Sequence, residues 1–185
     1  NTSVYSLRKM MYTVHQRDSM KIGPITTSRT EIEHLFRAWV AISIAFAIVM
    51  RGSIVSNFYT SFIVASLTVG VGFLLHELGH KVVAQHYGCF AEFRSFDQML
   101  ILAMIMSFFG FIFAAPGATV IRGHVNVEKN GKIALAGPVT NLILGALLFG
   151  IAYLGYGGLI VQYGYRINSW LALFNLIPFF IFDGA

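Results

Sequence analysis

Phe73-Leu74-Leu75-His76-Glu77-Leu78-Gly79-His80 sets two imidazoles and a carboxylate inside a run that is otherwise almost wholly apolar. On a helix, residues four apart share a face with Cβ atoms about 5–6 Å apart, so His76 and His80 can hold one metal ion between them. Glu77 then stands beside the ion and not on it. This is the H-E-x-x-H layout: two nitrogen ligands, and a general base for the water that such an ion activates. A purely structural polar cluster is the alternative reading of the same three residues. The apolar flanks weigh against it, because ionisable groups at membrane depth are costly enough to be functional by default.

Working outward, 56% of the 185 residues are hydrophobic and only 11% are charged, with a mean hydropathy of +0.69. A soluble domain carries about 25% charged residues, so the composition points to a membrane protein. The expected fold is an all-α, multi-span helical bundle with a small re-entrant or β-hairpin element. One core over residues 28–185 is expected, after a polar cytoplasmic lead over 1–27. Cys89 is alone, so no disulfide framework exists. The net charge of +5 suits cytoplasmic loops facing anionic lipid. Nucleic acid is not an expected partner, since no basic run is interleaved with aromatics away from the spans. No signal-peptide pattern is visible after Asn1. Asp183-Gly184-Ala185 stops inside an apolar segment, so the core is expected to be truncated there and the natural chain to continue.

Ser28-Arg29-Thr30-Glu31 has capping-box spacing and should start a helix running through Ala38 to Met50, long enough to cross a hydrocarbon core of about 30 Å. Short extended pieces are expected around Met10 to His15. A second span should begin near Asn57 to Ser61, carry the motif, and stop by Gly88. Gln98 to Val120 is harder to place. Its apolar run Met99 to Ala115 could cross once, but Gly110, Pro116 and Gly117 interrupt it, and Phe111 to Ile121 has β-type content. With a cytoplasmic amino terminus and no crossing here, all but Arg51 and Arg166 of the thirteen Lys and Arg residues fall on the cytoplasmic side. The positive-inside rule therefore favours a re-entrant or hairpin piece, tolerated at depth only when buried in protein or lining a wet cavity. Gly131 to Tyr156 reads as the third crossing, Gln162 to Asn168 as a polar turn, and Asn168 onward as the last span.

Two imidazoles need a third protein ligand. His86 follows His80 by six residues, but on a continuing helix it lies about 240° round from it. Glu92, Asp97 and Glu128 fall in charged stretches that read as solvated. Asp183 is the sole acid of the last span. Ser61 to His76 and Asn168 to Asp183 are both fifteen steps, about 22 Å, which would bring carboxylate and imidazoles to one depth. Asn141 lies about ten residues, or 15 Å, into a span entered from the other face. Its amide can hold a substrate backbone or a developing oxyanion, or simply bond another helix. Pro178 should kink the last span.

Taken together, His76-Glu77-x-x-His80, Gly137-Pro138-x-x-Asn141 and Asn175-x-x-Pro178-x-x-x-x-Asp183-Gly184 resemble the signature of the site-2 protease family, the zinc intramembrane metalloproteases. Phe109 to Gly123, with Ala115-Pro116-Gly117-Ala118, is similar to the segment between the motif spans in prokaryotic, especially archaeal, members. The resemblance covers roughly residues 28 to 185 and implies one Zn2+ on His76, His80 and Asp183. It implies Glu77 as base, Asn141 assisting at the scissile carbonyl, and substrates that are transmembrane helices of other proteins in the lipid bilayer. No PDZ-type insertion is present. The expected location is the cell membrane, multi-pass, with the amino terminus cytoplasmic. A helix hides its carbonyls in hydrogen bonds, so a substrate must unwind, and an edge near Phe111 to Ile121 could hold the unwound strand. A membrane metal-binding or transport protein using the same ligands without chemistry is the competing expectation.

Overall fold

In the computed structural model, which describes residues 19–51, 57–112, 115–178 and 183–184, Ser28 of the expected capping box caps helix α1, Arg29–Met50. Ser28 Oγ accepts from the Glu31 N–H at 3.1 Å. That bond satisfies one of the unpaired donors of the first turn and contributes about 1 kcal/mol. The Glu31 carboxylate reaches beyond its own helix. It accepts from Thr27 Oγ1 at 2.7 Å, from the Phe93 N–H at 3.0 Å and from Lys81 Nζ. Before α1, strands β1 (Ser19–Ile22) and β2 (Ile25–Ser28) pair antiparallel, turning at Gly23 with φ 61°. The extended pieces expected around Met10 to His15 lie outside the described residues.

Helix α2, Phe58–Ala65, is capped by Asn57, whose side chain accepts from the Tyr59 N–H at 2.9 Å. It runs through a π turn, Ser66–Gly70, into α3, Val71–His86. Together these form a 29-residue helix apolar enough to cross a membrane, the second expected span. The π turn was not expected. The wider turn goes with an outward bond: the Ser66 carbonyl accepts from Trp39 Nε1–H of α1 at 3.2 Å. Gly88, at φ 75°, follows the end of α3 as expected.

The interrupted middle segment is a strand pair enclosing a short helix. Strand β3, Phe90–Ser95, pairs antiparallel with β4, Gly117–Arg122, with Phe93 opposite Thr119. Between them lies α4, Asp97–Ser107, 11 residues and about 16 Å long, too short to cross. The expected β element is a strand pair and not a hairpin around Phe111 to Ile121: only β4 falls there, and its partner β3 lies upstream, over a stretch read as a charged loop. Glu92 is on that arm, buried, bonded to Ser28 and Arg94. It is not solvated as expected. Glu128, in the first turn of the next helix, is exposed beside Lys132.

Helix α5 is Val127–Tyr153 and α6 is Leu159–Asn175. The reversal between them sits at residues 154–158, so Gln162 to Asn168 is helix interior and not the expected polar turn. Asn168 is fully buried there, its amide donating to the Gly164 carbonyl at 2.8 Å. A Cβ on Gly72 of α3 would collide with Asn168 Oδ1, so glycine is what lets α3 and α6 approach here. Pro178 does not kink α6, because the helix has already ended at Asn175 with Leu176 as its cap. Residues 179–182, part of the expected last span, lie outside the described residues.

Among the described residues, three helices are long and apolar enough to cross a membrane: Arg29–Met50, Phe58–His86 and Val127–Tyr153. Helix α6, with 17 residues, is shorter. The apolar core joins α1, the π turn, α3, β3 and α4 through Ala38, Ile42, Val69, Phe73, Phe93 and Leu100.

Candidate metal centre

His76 and His80 occupy one face of α3, both buried, with ring centroids 4.7 Å apart. Asp183 meets them from 107 residues further along the chain. Its Oδ2 stands 2.9 Å from His76 Nε2 and 3.2 Å from His80 Nε2, and the two Nε2 atoms are 3.0 Å apart. The depth count that placed Asp183 began at the wrong residue. What ties the carboxylate back is a main-chain bond: the Gly184 N–H donates to the Asn175 carbonyl at 2.8 Å, which sets Asp183 beside the end of α6. A Cβ on Gly184 would run into the Leu176 carbonyl.

The donor set fits a divalent cation. His80 Nδ1–H donates to the Ile133 carbonyl at 2.7 Å. That bond fixes the tautomer of the neutral ring and turns the Nε2 lone pair toward Asp183. Two acceptors then face each other at 3.2 Å, and neutral His76 brings at most one proton to share between them. A cation among the three atoms removes the conflict. Nitrogen and oxygen ligands of tetrahedral zinc, each about 2.0–2.1 Å from the metal, stand about 3.3 Å apart. Separations of 2.9 to 3.2 Å are close to that. Helix α5 leaves room for the group: a Cβ on Gly137 would meet His76 Nε2 at 2.6 Å and would collide with His80 Nε2.

Gly79, inside the motif, lets α5 come that close. A Cβ there would meet Thr140 Oγ1 at 2.6 Å and the Ala136 carbonyl at 2.9 Å. Sequence reasoning assigned Gly79 nothing, although a glycine in mid-helix is itself a sign of close approach. His86 is exposed, packs against Tyr87 at 5.5 Å between ring centroids, and is outside the cluster.

Glu77 is buried next to the pair, and its Oε2 accepts from Thr119 Oγ1 of β4 at 2.8 Å. Nothing in the sequence had pointed to Thr119. A cavity of about 600 Å³ opens beside these groups, bordered by His76, Glu77, Asp183, Thr119 and Asn141 and walled by apolar side chains such as Phe73 and Trp170. Asn141 lies one turn beyond Gly137 on α5 and is fully buried, with neither side-chain atom hydrogen-bonded. A buried amide without partners costs about 1–3 kcal/mol. Asn141 therefore borders the cavity as a donor and acceptor still able to bond, and not as a bridge to another helix.

No family model matches the chain. No solved structure matches it either. Over 129 residues, 66% of this chain, it is 43% identical to a protein of Methanocaldococcus jannaschii that carries the provisional name of a zinc metalloprotease, and it covers 68% of that protein. Over 146 residues, 77% of this chain, it is 28% identical to a second protein of the same organism, named a zinc metalloprotease, but it spans only 38% of that protein's length.

Proposed function

The chain belongs to a family of zinc metalloproteases, and from that premise we propose that it is an intramembrane endopeptidase of the site-2 protease type, cutting transmembrane segments of other proteins in the lipid bilayer. One observation carries the reading: two of the three ligands of the cluster, with a carboxylate beside them, lie on a helix apolar enough to cross a membrane, and Asp183 completes the set from beyond α6. The proposed core is residues 28–185, a multi-span bundle with the strand pair β3–β4 set into it. Residues 1–27 form the cytoplasmic lead.

His76, His80 and Asp183 would hold one zinc per chain. When bound, zinc supplies Lewis acidity, which makes water a nucleophile near neutral pH and polarises the scissile carbonyl. Glu77 accepts the proton of the attacking water and returns it to the amine nitrogen as the C–N bond breaks. Its position next to the ligands, and outside the ligand set, supports that role. Asn141 donates from its side-chain amide to the carbonyl oxygen as negative charge develops there. An unwound substrate segment pairs its main chain with β4, whose outer edge has no strand partner among the described residues. The apolar cavity wall then excludes bulk water from the bond being cut.

The test compares wild type with Glu77→Gln, purified in lipid vesicles with a single-span reporter protein. Zinc retained and cleavage lost is the expected result. Undiminished cleavage by Glu77→Gln would remove the mechanism. Zinc bound by both forms with no cleavage by either would favour a metal-binding or transport protein.

A further inference from the structure

Glu77 is held by a circuit that leaves its helix and returns to it one turn later. Thr119 Oγ1 donates to Glu77 Oε2 at 2.8 Å. Thr119 stands on β4 directly opposite Phe93 of β3. The Phe93 N–H donates to Glu31 Oε1 of α1 at 3.0 Å. Lys81 Nζ donates to the second oxygen, Glu31 Oε2. Lys81 is four residues after Glu77 on α3, so the circuit closes on the same helix face. All these groups except Thr119 are buried, and the Phe93 ring also packs edge-on against Phe73 of α3 at 5.5 Å between centroids.

Each link is needed for the next. A β-strand presents alternate residues to opposite faces, so a one-residue slip of β4 would turn Thr119 away from Glu77 and bring Ala118 or Val120 round instead. Within the pair, β3 sets the register of β4. The charged bond from Glu31 to a main-chain N–H ties β3 to α1, and Lys81 ties the same carboxylate to α3. An ion pair this buried adds little net stability over an apolar replacement, so specificity of position is the better account of it.

We propose that Glu31, Lys81 and Thr119 form a positioning relay: the Glu31–Lys81 pair locks strand β3 against helix α3, and the locked strand pair sets the Thr119 hydroxyl on Glu77 so that one carboxylate oxygen is held while the other faces substrate and water. Thr119 is a positioning residue, acting through Glu77. The relay rests on the reading of Glu77 as the base.

The test uses the full zinc-loaded chain in lipid vesicles. Subtracting the infrared spectrum of Glu77→Gln from that of wild type isolates the Glu77 carboxyl band. Thr119→Val, which keeps the shape and removes the hydroxyl, shifts that band, and Thr119→Ser restores it. Glu31→Gln shifts it as well, with zinc still at one per chain. If Glu31→Gln fails to fold, the double variant Glu31→Gln/Lys81→Met removes the stranded charge and takes its place. Where the wild type cleaves a single-span reporter, Thr119→Val loses about tenfold to a hundredfold in kcat. KM changes less than about twofold. A Glu77 band unmoved in Thr119→Val overturns the proposal, and a band unmoved by the Glu31 change removes the relay behind Thr119. Wild-type cleavage by Glu77→Gln would instead remove the underlying reading. Loss in Glu77→Gln beside full turnover in Thr119→Val would sink the positioning inference alone.

Discussion

Two polar clusters lie one turn apart on helix α3, both sunk in apolar surroundings, and their hydrogen-bond accounts differ. Around Glu31 and Lys81 donors meet acceptors: one carboxylate takes a lysine, a threonine hydroxyl and a main-chain N–H. Around His76, His80 and Asp183, with the rings neutral, acceptors face acceptors, and among the described residues the one outward donor bond from an imidazole goes to the Ile133 carbonyl. Burial is the same in kind. The difference teaches that charge in an apolar core does not by itself mark chemistry, whereas an unbalanced excess of lone pairs marks a place built for a cation.

The contrast can be broken most forcefully at the unbalanced cluster. Asp183→Ala or His76→Ala should take zinc from about one per chain to almost none, with cleavage lost, as expected when one of three protein ligands goes. Elemental analysis reads this without any substrate, and full zinc in either variant would disprove the ligand set. At the balanced cluster, Lys81→Met should cost about 3–5 kcal/mol of stability, because it leaves Glu31 charged and short of its strongest partner. Glu31→Gln/Lys81→Met should recover much of that in thermal unfolding, and no recovery would mean the pair is worth more than its specificity. Smaller again is Gly137→Ala, which fills the space beside both Nε2 atoms. Zinc affinity should fall about 10–100-fold, measured by chelator competition, while the fold survives. The least effect is expected from Asn57→Ala, which removes the cap of α2 and touches neither cluster. It should cost about 1 kcal/mol and leave zinc content unchanged.

Local signals were legible in the sequence and convergent ones were not. The N-cap at Ser28 and the histidine pair each depend on residues within one helical turn, so spacing alone placed them. Strand β3 escaped because Glu92 and Arg94 made a buried arm look like a charged loop. Their charges are satisfied by Ser28 and by each other, partners that no local pattern displays. Asn168 misled in the same way. It is buried against Gly72 in a helix interior, yet with Gln162 and Arg166 nearby it reads as the edge of a turn. Asp183 was placed by resemblance and by a depth count with the wrong origin, and the main-chain bond from Gly184 to Asn175 that ties it to the end of α6 is one that no local pattern displays. Thr119 left no trace at all, since a threonine in a strand is ordinary until its neighbour across space is known.

The distance along the chain between the imidazoles and the carboxylate has a consequence in time. They are separated by 107 residues, and synthesis at about 5–20 residues per second puts roughly 5–20 s between their appearances from the ribosome. During that interval a nascent chain carries two of the three candidate ligands and no completed centre. Metal-dependent peptide-bond hydrolysis is thereby withheld until Asp183 has been made.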